Sequence, residues 1–222
     1  MSGFRPVEMD AFWDLIERSW RHTADPDRRL EWLTAQLTRL SPAEIVEFQV
    51  WLDRLHRWAD SWRMWGAAYQ LCDGLCSEDG FWYFQAWLVG QGRDAFERVV
   101  ADPDALADLP AVRRLAGRPV ETWSDAEWPE WECLDYVARR AYGQVTGEED
   151  GFEEALEARG HDPSLSAEPA GERWDFEDAA EVARRFPRLG EMFPLSPLAD
   201  RGCKATEGGP DEDAVRQLAG ER

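Results

Sequence analysis

The stretch of this sequence that comes nearest to chemistry is Cys76-Ser77-Glu78-Asp79-Gly80-Phe81. It places a thiol and two adjacent carboxylates before a run of aromatic side chains, Phe81, Trp82, Tyr83, Phe84 and Trp87, and Gly90 and Gly92 close the segment. Glu78 and Asp79 are candidates for binding a cation or a basic side chain, since carboxylate oxygens suit hard cations. Neighbouring helical residues point about 100° apart, so the two cannot share one ion without help from elsewhere. The same residues also make a helix start, with Ser77 as N-cap and two acids in the first turn, where they complement the helix dipole. Cys76 is a candidate nucleophile in mixed surroundings: a helix N-terminus lowers a thiol pKa and neighbouring acids raise it. His56 is the candidate general base, or else a structural histidine beside an apolar stripe. No context such as G-x-S-x-G accompanies a Ser, His and acid. Cys72 and Cys76 are four apart, but Gly74 lies between them with no His nearby, and a structural zinc needs about four ligands. No metal and no cofactor is therefore expected.

These residues need elements to hold them, and the periodicity supplies helices. Phe12, Leu15, Ile16 and Trp20 recur at helical spacing from about 7 to 23, and Pro26 breaks the run. Leu30, Leu33, Leu37 and Leu40 mark a second helix from Arg28. Ser41-Pro42-Ala43-Glu44 opens a third, carrying Ile45, Phe48, Leu52 and Leu55. The period runs on past Ala59-Asp60-Ser61 to Cys72, so residues 42–73 fit one long helix or two, and Asp73-Gly74 ends them. The aromatic segment after Ser77 is apolar on most sides and reads as a central, largely buried helix. Asp94 to Val100 forms a short helix, and Asp102-Pro103-Asp104-Ala105 begins another piece. Pro110 and Gly117-Arg118-Pro119 read as loop. Ser124-Asp125-Ala126-Glu127 leads a helix through Trp128, Trp131, Leu134, Val137 and Ala141 to Gly147, and a shorter acidic one covers 149–159.

No alternating strand pair with turn chemistry is present. The fold expected is all-α: a compact, multi-helix orthogonal bundle with an irregular C-terminal arm docking back on it. Residues 1–159 form the helical core. Residues 160–196 are a solvated connector and a docking arm, anchored by Trp174, Phe176, Leu189, Met192 and Phe193, with a helix near Glu177 to Phe186 stopped by Pro187. Residues 197–222 are an acidic, Gly- and Pro-containing flexible tail.

The 45 acids against 25 bases leave a formal net charge of −20. A polyanion repels nucleic acid and anionic membrane, so neither is an expected partner, and a basic protein is. The alternative is that the acidity mainly keeps the protein soluble. No stretch is apolar enough to span a membrane, the start MSGFRPVEMD carries no secretion pattern, and the four Cys lack a C-x-x-C pair, which together favour a cytoplasmic, reduced setting. The 13 Trp are the remaining signal. Trp51 and Trp58, a heptad apart and off the main stripe, are the candidate exposed, partner-binding aromatics; the alternative is that the surplus Trp pack under the arm.

The sequence resembles a bacterial family known as domain of unknown function 4240. The resemblance rests on Phe12-Trp13 with Leu15-Ile16-Glu17, on Trp65-Gly66-Ala67-Ala68-Tyr69, and on Cys76-Ser77-Glu78-Asp79-Gly80-Phe81 with Phe84 and Trp87-Leu88. Gly92 with Phe96, Asp102-Pro103-Asp104-Ala105-Leu106-Ala107, Tyr142 with Thr146-Gly147, and Trp174-Asp175-Phe176 continue it. Glu78 and Leu75 stand where the family pattern implies Asp and Gly, which argues against an anion or metal cradle. The resemblance implies a compact helical domain and carries no activity with it. Two functions stand at this point. The first is an acidic, Trp-rich interaction or regulatory module that binds a protein partner with a basic surface. The second is a small enzyme, or ligand- or cation-binding protein, with a pocket at the start of the central helix that uses Asp79, Glu78, Cys76 and His56.

Overall fold

The computed structural model describes residues 9–148, 151–159, 168–197 and Arg201. Among the described residues there are helices and no strand, so the all-α expectation holds. The first helix, α1 (Met9–His22), buries Phe12, Trp13 and Ile16. Asp25 then accepts from the Asp27 and Arg28 amides and, with Pro26 behind it, starts α2 (Pro26–Leu37), which buries Leu30, Leu33 and Leu37. A capping box between Ser41 and Glu44 starts α3 (Pro42–Ala59), in which Ser41 also lowers the Glu44 pKa by hydrogen bonding to its carboxylate. This helix is buried on several sides at once, polar Gln49, Asp53 and His56 included, because α1, the central helix and the later helices all pack on it.

Residues 42–73 form two helices. Asp60 turns extended (φ −76°, ψ 91°), and Ser61 caps α4 (Trp62–Leu71) through the Met64 amide. The break is held from both sides by a distant residue: the Ala170 amide donates to Asp60 O at 2.9 Å and Ala170 O accepts from the Trp62 amide at 3.0 Å. Asp73 (φ 52°) and Gly74 (φ 80°) both sit in the left-handed region, which terminates the segment as their identities suggested.

The central helix, α5 (Glu78–Gly90), is capped by Ser77 Oγ, which accepts from the Gly80 amide. Phe81, Phe84, Ala86, Leu88 and Val89 are buried, with Phe81 stacked on Trp65 at 4.0 Å. Helices α1, α3, α4 and α6 (Arg93–Ala101) surround it. A 3-10 segment (Pro103–Asp108), opened by Asp102, and α7 (Pro110–Leu115) follow. Pro110 is thus a helix start rather than part of a loop, since proline suits the first helical position.

The helix expected from Ser124 to Gly147 is not continuous. Ser124 and Glu127 form their capping box on one 3-10 turn only (Asp125–Glu127), another turn covers Glu132–Leu134, and α8 runs from Val137 to Thr146. Pro129 forces Trp128 extended (φ −57°, ψ 137°), and the Trp131 amide then bonds Tyr83 O at 3.0 Å across the molecule. The Trp131 ring packs so closely on Gly90 that a Cβ there would lie 2.7 Å from it. Helix α8 lies against α2 and α3, and α9 (Gly151–Glu157) lies against α3.

The C-terminal arm docks back. Its helices are α10 (Ala179–Arg185) and α11 (Pro187–Met192); Pro187 ends one and starts the next. Trp174 lies over Gly66 and donates to Trp62 O at 3.2 Å, while Phe176 packs on Trp62 and Tyr69. Buried Asp104 accepts from the Arg188 and Leu189 amides and from Arg188 Nε at 2.9 Å, so the second acid of Asp102-Pro103-Asp104 anchors α11. Ser196 donates to Asp73 at 2.7 Å, and Arg201 pairs with Glu177 and lies over Tyr69. Most of the expected connector (160–167) and of the expected tail (198–200 and 202–222) falls outside the described residues.

Candidate functional site: an acidic aromatic face over a buried histidine–aspartate pair

Helical geometry puts Glu78, Asp79, Trp82 and Tyr83 on one side of the first turns of α5, since residues three and four apart are neighbours. Glu78 and Asp79 are exposed, and Trp82 keeps 42% of its surface in water. The 3-10 turn after Trp131 brings Glu132 and Tyr136 alongside: Tyr83 donates to Glu132 at 3.2 Å, and Tyr136 is 51% exposed. Burial, Glu132 and the neighbouring Tyr136 and Asp79 together push the Tyr83 hydroxyl up to about 12. The result is a face of aromatic rings framed by carboxylates.

Beneath Trp82 lies a polar cluster that the apolar core does not explain. His56 is fully buried, and its ring meets the Trp82 ring edge to face at 4.3 Å. His56 Nε2 is 3.6 Å from Asp135 Oδ1, too long for a hydrogen bond but close enough for charge to matter. Among the described residues, neither His56 ring nitrogen, neither Asp135 oxygen and not Gln49 Oε1 has a hydrogen-bond partner. Gln49 spends its amide on Asp53, at 2.8 Å, and Gln85 holds the His56 carbonyl at 3.2 Å. Burial, with Asp53 nearby, pushes the Asp135 carboxyl up to about 8, and the Trp82 indole N–H, turned towards the carboxylate without reaching full hydrogen-bond geometry, opposes this in part. Burial pushes the His56 imidazole down to about 3. Both groups are therefore neutral at pH 7, with the proton on Asp135.

The residues singled out in sequence are not brought to one centre. Glu78 and Asp79 stand on the surface, while His56 is sealed below Trp82. Cys76 is pushed up to about 12 by burial and Glu130, so its thiol stays protonated at neutral pH. Among the described residues no three His, Cys, Asp or Glu side chains converge as metal ligands. Trp58 is 51% exposed and edges onto Phe96, whereas Trp51 is half-buried under Arg54. A separate open groove of about 470 Å³ lies by Trp20, Gly92, Arg93, Arg98 and Arg114; within it Arg21 pairs with Glu17, and Arg93 with Glu97 and Asp10.

Sequence reasoning did not reach Asp135, because a continuous helix drawn from Ser124 puts it on the wrong scaffold. His56 was singled out alone; the signal that could have shown its burial is that Gln49, Asp53 and His56 follow a helical stripe of their own, and polar residues at core spacing on a helix flag a buried network.

No curated protein and no solved structure matches the chain. No helix among the described residues is long and apolar enough to cross a membrane. The model of the family described as a protein of unknown function (DUF4240) matches residues 7–144, which contain α1 through most of α8 and every residue of the face and of the buried pair. The match extends over more than half of the sequence, and the chain therefore belongs to that family.

Proposed function

We propose that this protein is an interaction or regulatory module that binds a protein partner with a basic surface through the outer face of α5. The observation that carries the reading is the exposure of Trp82 and Tyr136 beside Glu78, Asp79 and Glu132 in a chain of net charge −20. Aromatic anchors ringed by one sign of charge suit a partner presenting Lys or Arg: the rings offer cation–π contact and the carboxylates steer the approach. Trp58, exposed beside α6, is a second aromatic candidate. A catalytic use of His56 is less well supported, because a substrate would have to reach a ring with no exposed surface.

The test is fluorescence anisotropy with a labelled, end-capped peptide of alternating Arg and Lys. Binding is expected to weaken with added salt, as contacts between exposed charges do. A Trp82→Ala, Tyr136→Ala double variant is expected to bind at least about tenfold more weakly. Binding that the double variant leaves unchanged would place the interaction elsewhere.

A further inference from the structure

The cluster beneath Trp82 is short of hydrogen-bond donors. While Asp135 is ionised its Oδ1 and Oδ2 can only accept, one nitrogen of a neutral imidazole can only accept, and these atoms are buried without partners among the described residues. Buried acceptors left this way cost free energy until a donor arrives. In the free protein the proton on Asp135 fills part of the deficit. A water molecule would bring two donors and no charge. A metal ion lacks its ligand set, since no three suitable side chains converge among the described residues.

We propose that the Asp135–His56 pair is a socket for one arginine side chain of the basic partner, with Trp82 as the ring on which the guanidinium stacks. A guanidinium carries five N–H donors in a plane and no acceptor, so it complements a site made of acceptors. Its fork matches the two Asp135 oxygens. Trp82 covers the pair, packs on His56 with one edge and stands 42% in solvent, so a rotation of its side chain opens the way to Asp135 while keeping the ring beside the cation. The Asp135 side chain is 11% exposed, so it is not wholly sealed from solvent. On binding, the Asp135 proton leaves to solvent and the guanidinium charge replaces it. Lysine fits less well: its ammonium is compact, strongly hydrated and lacks the planar fork.

The inference rests on the α5 face being the basic-partner surface, and the experiment separates the two. Protein labelled with nitrogen-15 at histidine is titrated with end-capped tetra-arginine, tetra-lysine and tetra-citrulline, reading affinity and the His56 ring nitrogen shifts. Tetra-arginine is expected to bind at least about tenfold more tightly than tetra-lysine and to move the His56 Nε2 resonance, tetra-citrulline to do neither, and Asp135→Asn to remove the arginine preference. If tetra-arginine and tetra-lysine bind alike and the His56 resonance stays put, the socket is wrong and the surface reading stands. If neither cationic peptide binds, both fall. The His56 resonance of the unaltered protein decides the matter even if Asp135→Asn folds poorly.

Discussion

At the scale of single residues, the protein depends on a few positions where chemistry and space conflict with ordinary preference. Gly66 lies inside α4, where alanine would normally be favoured by up to about 1 kcal/mol. Here a Cβ would sit 2.2 Å from Trp174 Cζ2, so packing overrides propensity. Gly66→Ala is expected to destabilise by about 1–3 kcal/mol in urea titrations. Combining it with Trp174→Phe should recover part of that loss, since the clashing atom is removed. Asp135 is a conflict of charge. Its folded carboxyl is raised to about 8, against about 3.9 unfolded, so the folded state holds a proton the unfolded state has released. Its stabilising contribution is therefore complete below about pH 4 and lost as the pH climbs towards about 8. His56 acts oppositely: held neutral by burial, it favours the fold above its ordinary value near 6.5 and loses that contribution as the pH falls towards about 3. Asp135→Asn cannot ionise, so its stability relative to the unaltered protein is expected to rise steadily between about pH 5 and about pH 8. Denaturant midpoints across that range measure the trend; a constant difference would show that Asp135 is ionised in the folded protein.

At the scale of elements, the arm is secured by acids that the core helices lend to it. Asp104 is buried at the start of a 3-10 segment and accepts from the backbone of α11, so one carboxylate ties together elements more than eighty residues apart. Asp104→Ala leaves two amides without their acceptor and is expected to cost about 2 kcal/mol. Hydrogen exchange should show the loss first at the Arg188 and Leu189 amides, ahead of those in α3; uniform acceleration would mean the arm does not open separately. Much of this level was legible in the sequence. Ser41 and Ser77 cap where capping chemistry places them, and the aromatic density of Trp174 and Phe176 signalled a segment that returns to the core. What could not be read locally depended on distant partners. The α3–α4 break is fastened by Ala170, the 3-10 path around Pro129 by a bond to Tyr83, and α11 by Asp104, and none of these leaves a mark within its own stretch of sequence. The site shows the same division: the acidic start of α5 and His56 were singled out in the sequence, while their junction at Asp135 needed the true course of residues 128–137.

At the scale of the whole molecule, the strongly acidic balance is not spread as a neutral background. Arg18, Arg21, Arg93 and Arg184 each pair with an acid three or four residues away, whereas the carboxylates of Glu78 and Asp79 sit beside exposed aromatic rings at the start of the central helix. Three tryptophans are substantially exposed, Trp20 at the arginine-lined groove, Trp58 beside α6 and Trp82 over His56, and they report on three different surfaces. The most direct test of the α5 face as the contact surface is therefore an NMR titration of indole-nitrogen-labelled protein with the end-capped cationic peptide. The Trp82 indole resonance is expected to shift with peptide while those of Trp20 and Trp58 hold still. A saturable shift at Trp20 or Trp58 with Trp82 unmoved would contradict the account.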